Sequence, residues 1–374
     1  MALFGSPRAF LGLDIGTSSL KLVELIDRHK RTELTTYAEA NFPNKIVNQT
    51  GNSDKALRET ATVIAQMIEK AHVSAELAVA ALPSSVVFST VLTLPDMPES
   101  EMDRAVHFAA RDVVPANLSD MVLGWNRLGV MPHMDTAQKT APTSEKEEAK
   151  NDEAILSEST QAQTLPVFVT AAPKQIVERY TLLMTMLNLQ LHALEVETLP
   201  LARSLLAKPT DSALIVDLGD TVTTYHVIDA GTPRVSHTIE YGGRHLTKAI
   251  ASSLKLGEVE AEQQKARFGL LETAPALLRE ALLQGLREII TAAQHVLETY
   301  AHQSKAQVNR TILIGGGANL PGLEQYWTEK VNSAAIGNPW RGLAYPQELD
   351  QRLHELGPKY GVAVGLALRG FIAT

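Results

Sequence analysis

The sequence predicts an α/β protein built of two related halves, and three observations carry that expectation. Apolar strands and amphipathic helices alternate along the chain, the succession that layers helices against a sheet. Leu11–Leu25, LGLDIGTSSLKLVEL, reads as a β-hairpin: an apolar strand ending on Asp14, a small polar turn at Gly16, Thr17, Ser18 and Ser19, then a returning strand. Ala213–Ile228, ALIVDLGDTVTTYHVI, repeats that plan about 200 residues later, with Asp217, Gly219, Thr221, Thr223 and Thr224 in the corresponding places.

Each hairpin tip offers hydroxyls and backbone N–H groups around a glycine. Successive amides form a nest for phosphate, and the aspartate can hold a hydrated Mg²⁺ beside it. Taken singly, Asp-x-Gly-Thr is also an ordinary tight turn. Repeated, two such hairpins facing each other would grip one polyphosphate from both sides. A third turn, Gly315-Gly316-Gly317-Ala318-Asn319-Leu320-Pro321-Gly322, follows the strand Arg310–Ile314 and precedes a helix-like Leu323–Val331. Backbone without side chains at the mouth of a helix suits a nucleotide's sugar and α-phosphate, although a triple glycine is also a common loop.

Composition sets limits. The 374 residues are 45% hydrophobic and 20% charged, enough for two domains with large cores. Absence of cysteine excludes disulfides, thiolate-bound zinc and thiol catalysis. The 11 histidines show no ligand spacing, and a net charge of −8 without a basic, aromatic-studded run argues against nucleic acid. Met1–Phe10 lacks the apolar core of a signal peptide, and Gly361–Leu368 falls far short of the roughly 20 residues that span a bilayer. A cytoplasmic protein is expected.

In chain order, the first hairpin leads to a strand at Leu34–Phe42 and a helix at Ser53–Ala71, whose Leu57, Ala61, Ile64, Ala65 and Ile68 share one face. Leu77–Leu82 is a buried strand. From Ser84 the character changes: a strand at Val86–Leu94, a helix at Ser100–Val113 and a strand at Met121–Leu128 are followed by Met131–Thr164, a low-complexity stretch with seven acids and three lysines. It reads as a flexible acidic surface loop inside a small subdomain. A strand, Leu165–Ala171, resumes the fold, and Lys174–Leu187 is a helix. After the strand Leu191–Glu195, Glu197 opens another helix. Two readings fit it: an acid complementing a helix N-terminus, or a carboxylate orienting water toward a γ-phosphate. Beyond the second hairpin, Gly242 and Gly243 enter a helix near Leu246. Glu262 and Lys265, three apart in Val259–Phe268, are either a surface ion pair or contacts to adenosine. Leu277–His302 is a long amphipathic helix, and Tyr360–Gly370 is a small-residue helix able to pack very closely.

The order of Leu11–Leu25, Glu197, Ala213–Ile228, Gly315–Gly322 and the Ala/Gly-rich last helix resembles the actin-like ATPase superfamily. Asp112-Val113-Val114-Pro115, Ala171-Ala172-Pro173-Lys174, Tyr241-Gly242-Gly243-Arg244-His245-Leu246-Thr247 and Ala261-Glu262-Gln263-Gln264-Lys265 are most similar to PilM-type proteins of type IV pilus assembly, relatives of FtsA. The resemblance implies two duplicated α/β domains around a nucleotide cleft with an FtsA-like extra subdomain. By position it gives a first domain at 1–83 and 174–205, the extra subdomain at 84–173 with its loop 131–164, a second domain at 206–242 and 309–374, and a helical nucleoside-binding part at 243–308.

The resemblance further implies ATP and Mg²⁺. Asp14 and Asp217 would flank the metal, acting on it through water. Gly16, Thr17, Ser18, Ser19, Lys21, Gly219 and Thr221 would hold phosphates, while Gly242, Gly243, Glu262, Lys265, Gly315, Gly316, Gly317 and Asn319 would surround the nucleoside. Glu197 matches the acid that positions water. Thr198 departs from the proline common in relatives, so a looser turn is expected there, bearing on hydrolysis more than on binding.

The partner implied is the N-terminal cytoplasmic tail of a PilN-type inner-membrane protein, with other pilus inner-membrane and motor components and self-assembly into an oligomer or ring. The tail's groove is expected beside Ser84–Pro173, and the strand Val86–Leu94 has two readings: lining of that groove through Val87, Phe88, Leu92 and Leu94, or plain sheet core. The chain lacks the terminal amphipathic helix of FtsA, so it is expected at the inner membrane through a partner, without direct insertion. Two alternatives share the superfamily. A sugar kinase would need a carboxylate base, and none stands out between Ser84 and Pro173; an FtsA- or MreB-like filament would use ATP to set assembly.

Overall fold

The computed structural model describes residues 8–28, 31–42, 54–128, 164–208 and 210–372. Most of the acidic loop expected at 131–164 lies outside them. The first sheet comes from β1 (Ala9–Ile15), β2 (Ser19–Arg28) and β3 (Arg31–Asn41), then α1 (Asp54–Lys70) and β4 (Leu77–Leu82). A small antiparallel sheet follows from β5 (Phe88–Pro95), α2 (Glu99–Val113), β6 (Met121–Arg127) and β7 (Thr164–Pro173), before α3 (Lys174–Met186), β8 (Gln190–Val196) and α4 (Thr198–Leu205). The second large sheet uses β9 (Ala213–Leu218), β10 (Thr223–Asp229) and β11 (Thr232–Ile239). The helices α5 (Gly243–Leu254), α6 (Glu258–Phe268) and α7 (Ala276–Ser304) follow it. The chain closes with β12 (Arg310–Ile314), α8 (Leu323–Lys330), β13 (Ser333–Ile336), α9 (Asp350–Leu356) and α10 (Gly361–Arg369).

The two large sheets have one topology. Their orders are β3-β2-β1-β4-β8 and β11-β10-β9-β12-β13, each an antiparallel hairpin and third strand continued by two parallel strands. Repetition extends to the register: Asp14 faces Lys21 across the first hairpin and Asp217 faces Thr224 across the second. Central strands buried on both faces need continuous apolar runs, which is why FLGLDI and ALIVDL read so alike.

The last helix joins the halves. Seven of its residues, Gly361 to Ala367, are buried, some against β1 and β2 and others in a core shared with α4, β9 and β12. A Cβ on Gly12 of β1 would fall 2.0 Å from the Ala363 carbonyl oxygen, and one on Gly365 would fall 1.9 Å from that of Pro200 in α4. Backbone therefore touches backbone on both sides of α10. Glu195 of β8 fixes the end of this layer: both its oxygens take Arg203 guanidinium N–H groups at 3.0 Å, and Arg369 pairs with it at 3.0 Å.

In the small subdomain α2 covers one face of the sheet. Leu94, Met102, Val106, Val167 and Val169 form its core, with Leu92 packed on it and Phe88 on Ala110, Val114 and Ala171. Of the two readings of this strand the sheet-core one fits, and the exposed strip is corrected: Val87 and Leu94 are buried, Phe88 and Leu92 half-buried, because the apolar face of α2 and the first core cover them.

Because nothing larger than hydrogen fits against Pro200, Gly365→Val is expected to cost about 3 kcal/mol of stability, measured by urea unfolding, whereas Ala363→Gly at the same helix should cost less.

Candidate functional site

The tips of both hairpins are closed in the same way, Gly16 N–H donating to the Ser19 carbonyl at 3.0 Å and Gly219 N–H to that of Val222 at 3.0 Å. They meet across the halves, where the Thr221 hydroxyl donates to Thr17 Oγ1 at 3.3 Å. Behind them opens a cleft of about 1050 Å³. Asp14, Gly16, Thr17, Ser18, Ser19 and Lys21 line it from the first half, Glu197 from the start of α4, and Asp217 and Gly219 from the second hairpin. Gly243, Glu262, Lys265, Gly315, Gly316, Gly317 and Asn319 complete the wall. Sequence reasoning thus gathered residues from seven separate elements into one cavity.

Two expected residues do not line it. Thr221 is spent on the contact between tips, and Gly242 lies beneath them, where a Cβ would sit 2.6 Å from the Gly219 carbonyl oxygen. Gly242 is needed so that α5 can dock: Gly243 N–H donates to Gly219 O at 2.9 Å and Arg244 N–H to Asp220 O at 2.8 Å. The triple glycine also differs from expectation. It forms a short 3₁₀ turn at Gly316–Asn319, and α8 begins only after Gly322, so the glycines are not at that helix's mouth. Their smallness serves a close approach instead, since Gly315 (φ +82°) passes where a Cβ would lie 2.4 Å from Asp217 Oδ1. Gly316 has nothing within 4 Å of its Cβ position.

The floor of the cleft is electrostatically unbalanced. Asp14, Asp217 and Glu197 converge there against one ammonium, Lys21, which stands 3.7 Å from Asp14 and donates to Ser19 Oγ at 2.8 Å. The difference between halves is Lys21 in one hairpin and Thr224 at the matching position of the other. Burial raises the Asp14 carboxyl above its ordinary value, with Lys21 opposing. Burial and the Asp14 charge push Asp217 up to about 6. Glu197, pushed to about 7 mainly by burial, accepts the Ser84 N–H at 3.0 Å.

Such a floor fits a divalent cation. Three carboxylates with one ammonium leave an excess of negative charge that a Mg²⁺ ion would balance. Among the described residues no group of three His, Cys, Asp or Glu is placed to hold a metal ion by itself. Above the floor, Lys265 donates to the Gly243 carbonyl at 2.9 Å and Thr247 Oγ1 at 2.8 Å, and pairs with Glu262 at 2.7 Å; Thr247 also donates to Glu262. Glu262 and Lys265 are therefore joined both to each other and to α5, beyond a simple surface pair.

Thr198 corrects another expectation. Its hydroxyl meets Nδ1 of His226 at 2.9 Å in a buried contact, and burial holds that imidazole near a pKa of about 3, so neutral. The turn after Glu197 is fastened to β10 rather than loosened. Sequence reasoning missed Thr198's partner, Ser84, and the pair Glu39–Lys359 at 3.3 Å on the cleft rim, all contacts between residues distant in sequence. Thr247 was within reach, one helical turn from Gly243.

A family model described as type IV pilus assembly protein PilM matches residues 12–371. The chain belongs to this family. Among solved structures, the PilM-PilN type IV pilus biogenesis complex aligns with a TM-score of 0.75 and 26% identity over 96% of this chain and 98% of that one. MreB5 of Spiroplasma citri bound to ADP aligns at 0.52 and 12% identity over 96% and 94%. Ethanolamine utilization protein EutJ from Carboxydothermus hydrogenoformans aligns at 0.51 and 15% identity over 98% and 91%. The PilM architecture here is the actin-like ATPase fold, and no helix among the described residues is long and apolar enough to cross a membrane.

A carboxyl whose pKa folding has raised keeps its proton longer in the fold than in the unfolded chain. Its stabilising effect is complete below pH 4 and is lost as pH rises to about 6 for Asp217 and about 7 for Glu197. Asp217→Asn should therefore stabilise the ligand-free protein at pH 8, on the order of 2 kcal/mol, with the gain shrinking toward pH 4 in thermal unfolding followed by circular dichroism.

Proposed function

We propose that this chain is an ATP-binding adaptor of type IV pilus assembly that holds the N-terminal tail of a PilN-type inner-membrane protein and links it to the cytoplasmic motor. The observation that carries the reading is the pairing of family membership across residues 12–371 with a cleft whose floor is formed by two opposed Asp-Gly hairpins. A relative of 26% identity forms a complex with PilN, and MreB5 of the same fold binds ADP. Both suggest what this cleft and its surroundings hold.

In the adaptor, Asp14 and Asp217 would hold Mg²⁺, which would supply charge balance at the phosphates, and Lys21 with the free amides of both hairpin tips would neutralise phosphate oxygens. Glu262 and Lys265 meet the sugar, and the open backbone at Gly316 leaves room beside it. Glu197, held by the Ser84 N–H and by the Thr198–His226 contact at its helix, is positioned to orient a water molecule. ATP acts first as a conformational ligand, with at most weak hydrolysis. The two sheets and the linking α10 supply the halves that such a ligand draws together.

The tail site belongs beside the Ser84–Pro173 subdomain. Since Val87, Phe88, Leu92 and Leu94 are packed inward, the edge of β5 and the exposed surface of that subdomain receive the peptide. The adaptor is peripheral to the inner membrane through this partner and assembles with other pilus components as an oligomer.

Two measurements test the reading. Calorimetric titration with Mg²⁺–ATP should give binding that Asp14→Ala abolishes, and that weakens as pH falls from 7 to 5 because protonated Asp217 and Glu197 no longer attract the cation. A synthetic PilN-type tail peptide should bind, and by linkage its affinity should change with Mg²⁺–ATP by about fivefold or more. Turnover that depends on a sugar, or a tail peptide that does not bind the folded protein, would overturn the adaptor.

A further inference from the structure

A second cavity lies on the far side of β3 from β2. It has a volume of about 600 Å³ and is floored by the β3 edge from Tyr37 to Asn41. The edge is already in use nearby. Leu34 N–H donates to the Ala344 carbonyl at 2.9 Å and Ala344 N–H to that of Thr32 at 2.9 Å, a parallel bridge that occupies the first part of the strand. Beyond it the edge changes parity at the bulge opposite Glu24 and Leu25. Phe42 N–H then donates to Ser18 O at 2.9 Å, so in the antiparallel ladder Ala38, Ala40 and Phe42 turn their backbone groups toward β2. Tyr37, Glu39 and Asn41 turn theirs into the cavity.

The cavity has the form of a place for one more strand. One wall is α1 and the residue after it, through Val63, Met67 and Ala71; the opposite wall is the end of α9 and the turn that follows, through Leu356 and Tyr360. Side chains of an added strand would alternate between these two apolar walls. Lys70 and Arg352 stand exposed at the rim, and Lys70 makes no ion pair among the described residues. Glu39, the acid of this lining, is already engaged by Lys359 at 3.3 Å. This edge, open among the described residues, thus has apolar walls and a cationic rim, in which Arg352 also pairs with Glu355 at 3.6 Å.

We propose that this slot binds an extended peptide of another protein by strand addition, with β-branched or apolar residues at its centre and acidic residues at its ends. The N–H and C=O groups of Tyr37, Glu39 and Asn41, which have no backbone partner among the described residues, give the affinity, and the two walls and the rim cations give the choice of sequence. Strand β3 forms the edge of the first sheet opposite β8, and because its Glu39 and Asn41 also line the large cleft, the slot is tested in the absence of nucleotide.

The test uses the full chain and a fluorescent heptapeptide of alternating valine and threonine closed by a glutamate at each end, followed by anisotropy. Two further versions carry N-methyl groups on alternate amides, one on each set. Binding is expected for the parent peptide and for one methylated version, with a loss of about tenfold or more for the version methylated on the amides that face β3. Hydrogen exchange at Tyr37, Glu39 and Asn41 should slow in the complex, and Lys70→Glu, on an exposed position that leaves the fold intact, should weaken binding about fivefold. No binding at about 1 mM peptide, equal binding of both methylated versions, or protection confined to residues outside β3 would overturn the proposal.

Discussion

The architecture depends on a helix with no room for side chains. Gly365 rests on the backbone of Pro200, and Gly12 lets α10 press on β1, so the last residues of the second half are built into the first. Contacts of this kind are steep: a displacement of one ångström on either side is a clash or a void. Both hairpins are thereby aimed at the same point, and the hydroxyls of Thr17 and Thr221 meet there.

The chemistry of the cleft follows from one asymmetry in the duplication. Where the first hairpin carries Lys21 opposite Asp14, the second carries Thr224 opposite Asp217. One aspartate is partly neutralised and the other is left to wait for a cation from solution, with Glu197 adding to the deficit. In the proposed adaptor, a cation arriving with a polyphosphate would relieve all three carboxylates together, and Lys21 with free amides of the two tips would receive the phosphate oxygens. In that proposed adaptor, binding and closure of the halves are one event.

Much of this was legible in the sequence because it is written locally. The strand–Asp–Gly–hydroxyl pattern fixes a hairpin by itself, and its recurrence in ALIVDLGDTVTT announced the duplication that the matched strand orders display. Glu262 and Lys265 share a helix face by spacing alone. What could not be read depends on contacts between distant segments: Thr198 held by His226, Ser84 N–H on Glu197, and Lys359 reaching Glu39. The strand Val86–Leu94 shows the limit most clearly. Its apolar residues looked available because strand patterning does not reveal that α2 lies over one face and the first core over the other. The triple glycine was similarly misplaced, since close approach to Asp217 and a phosphate-binding helix mouth call for the same residue.

The central claim is that a Mg²⁺-bound nucleotide draws the two halves together about α10. The chain contains no cysteine, so spin labels on Thr62→Cys in α1 and Glu260→Cys in α6, both exposed positions, report one distance between the halves. Measured by pulsed electron–electron resonance, that distance should shorten and its distribution narrow with Mg²⁺–ATP, with little change for ATP in the presence of a chelator or for Asp217→Asn. A distribution unchanged by saturating Mg²⁺–ATP would contradict the account.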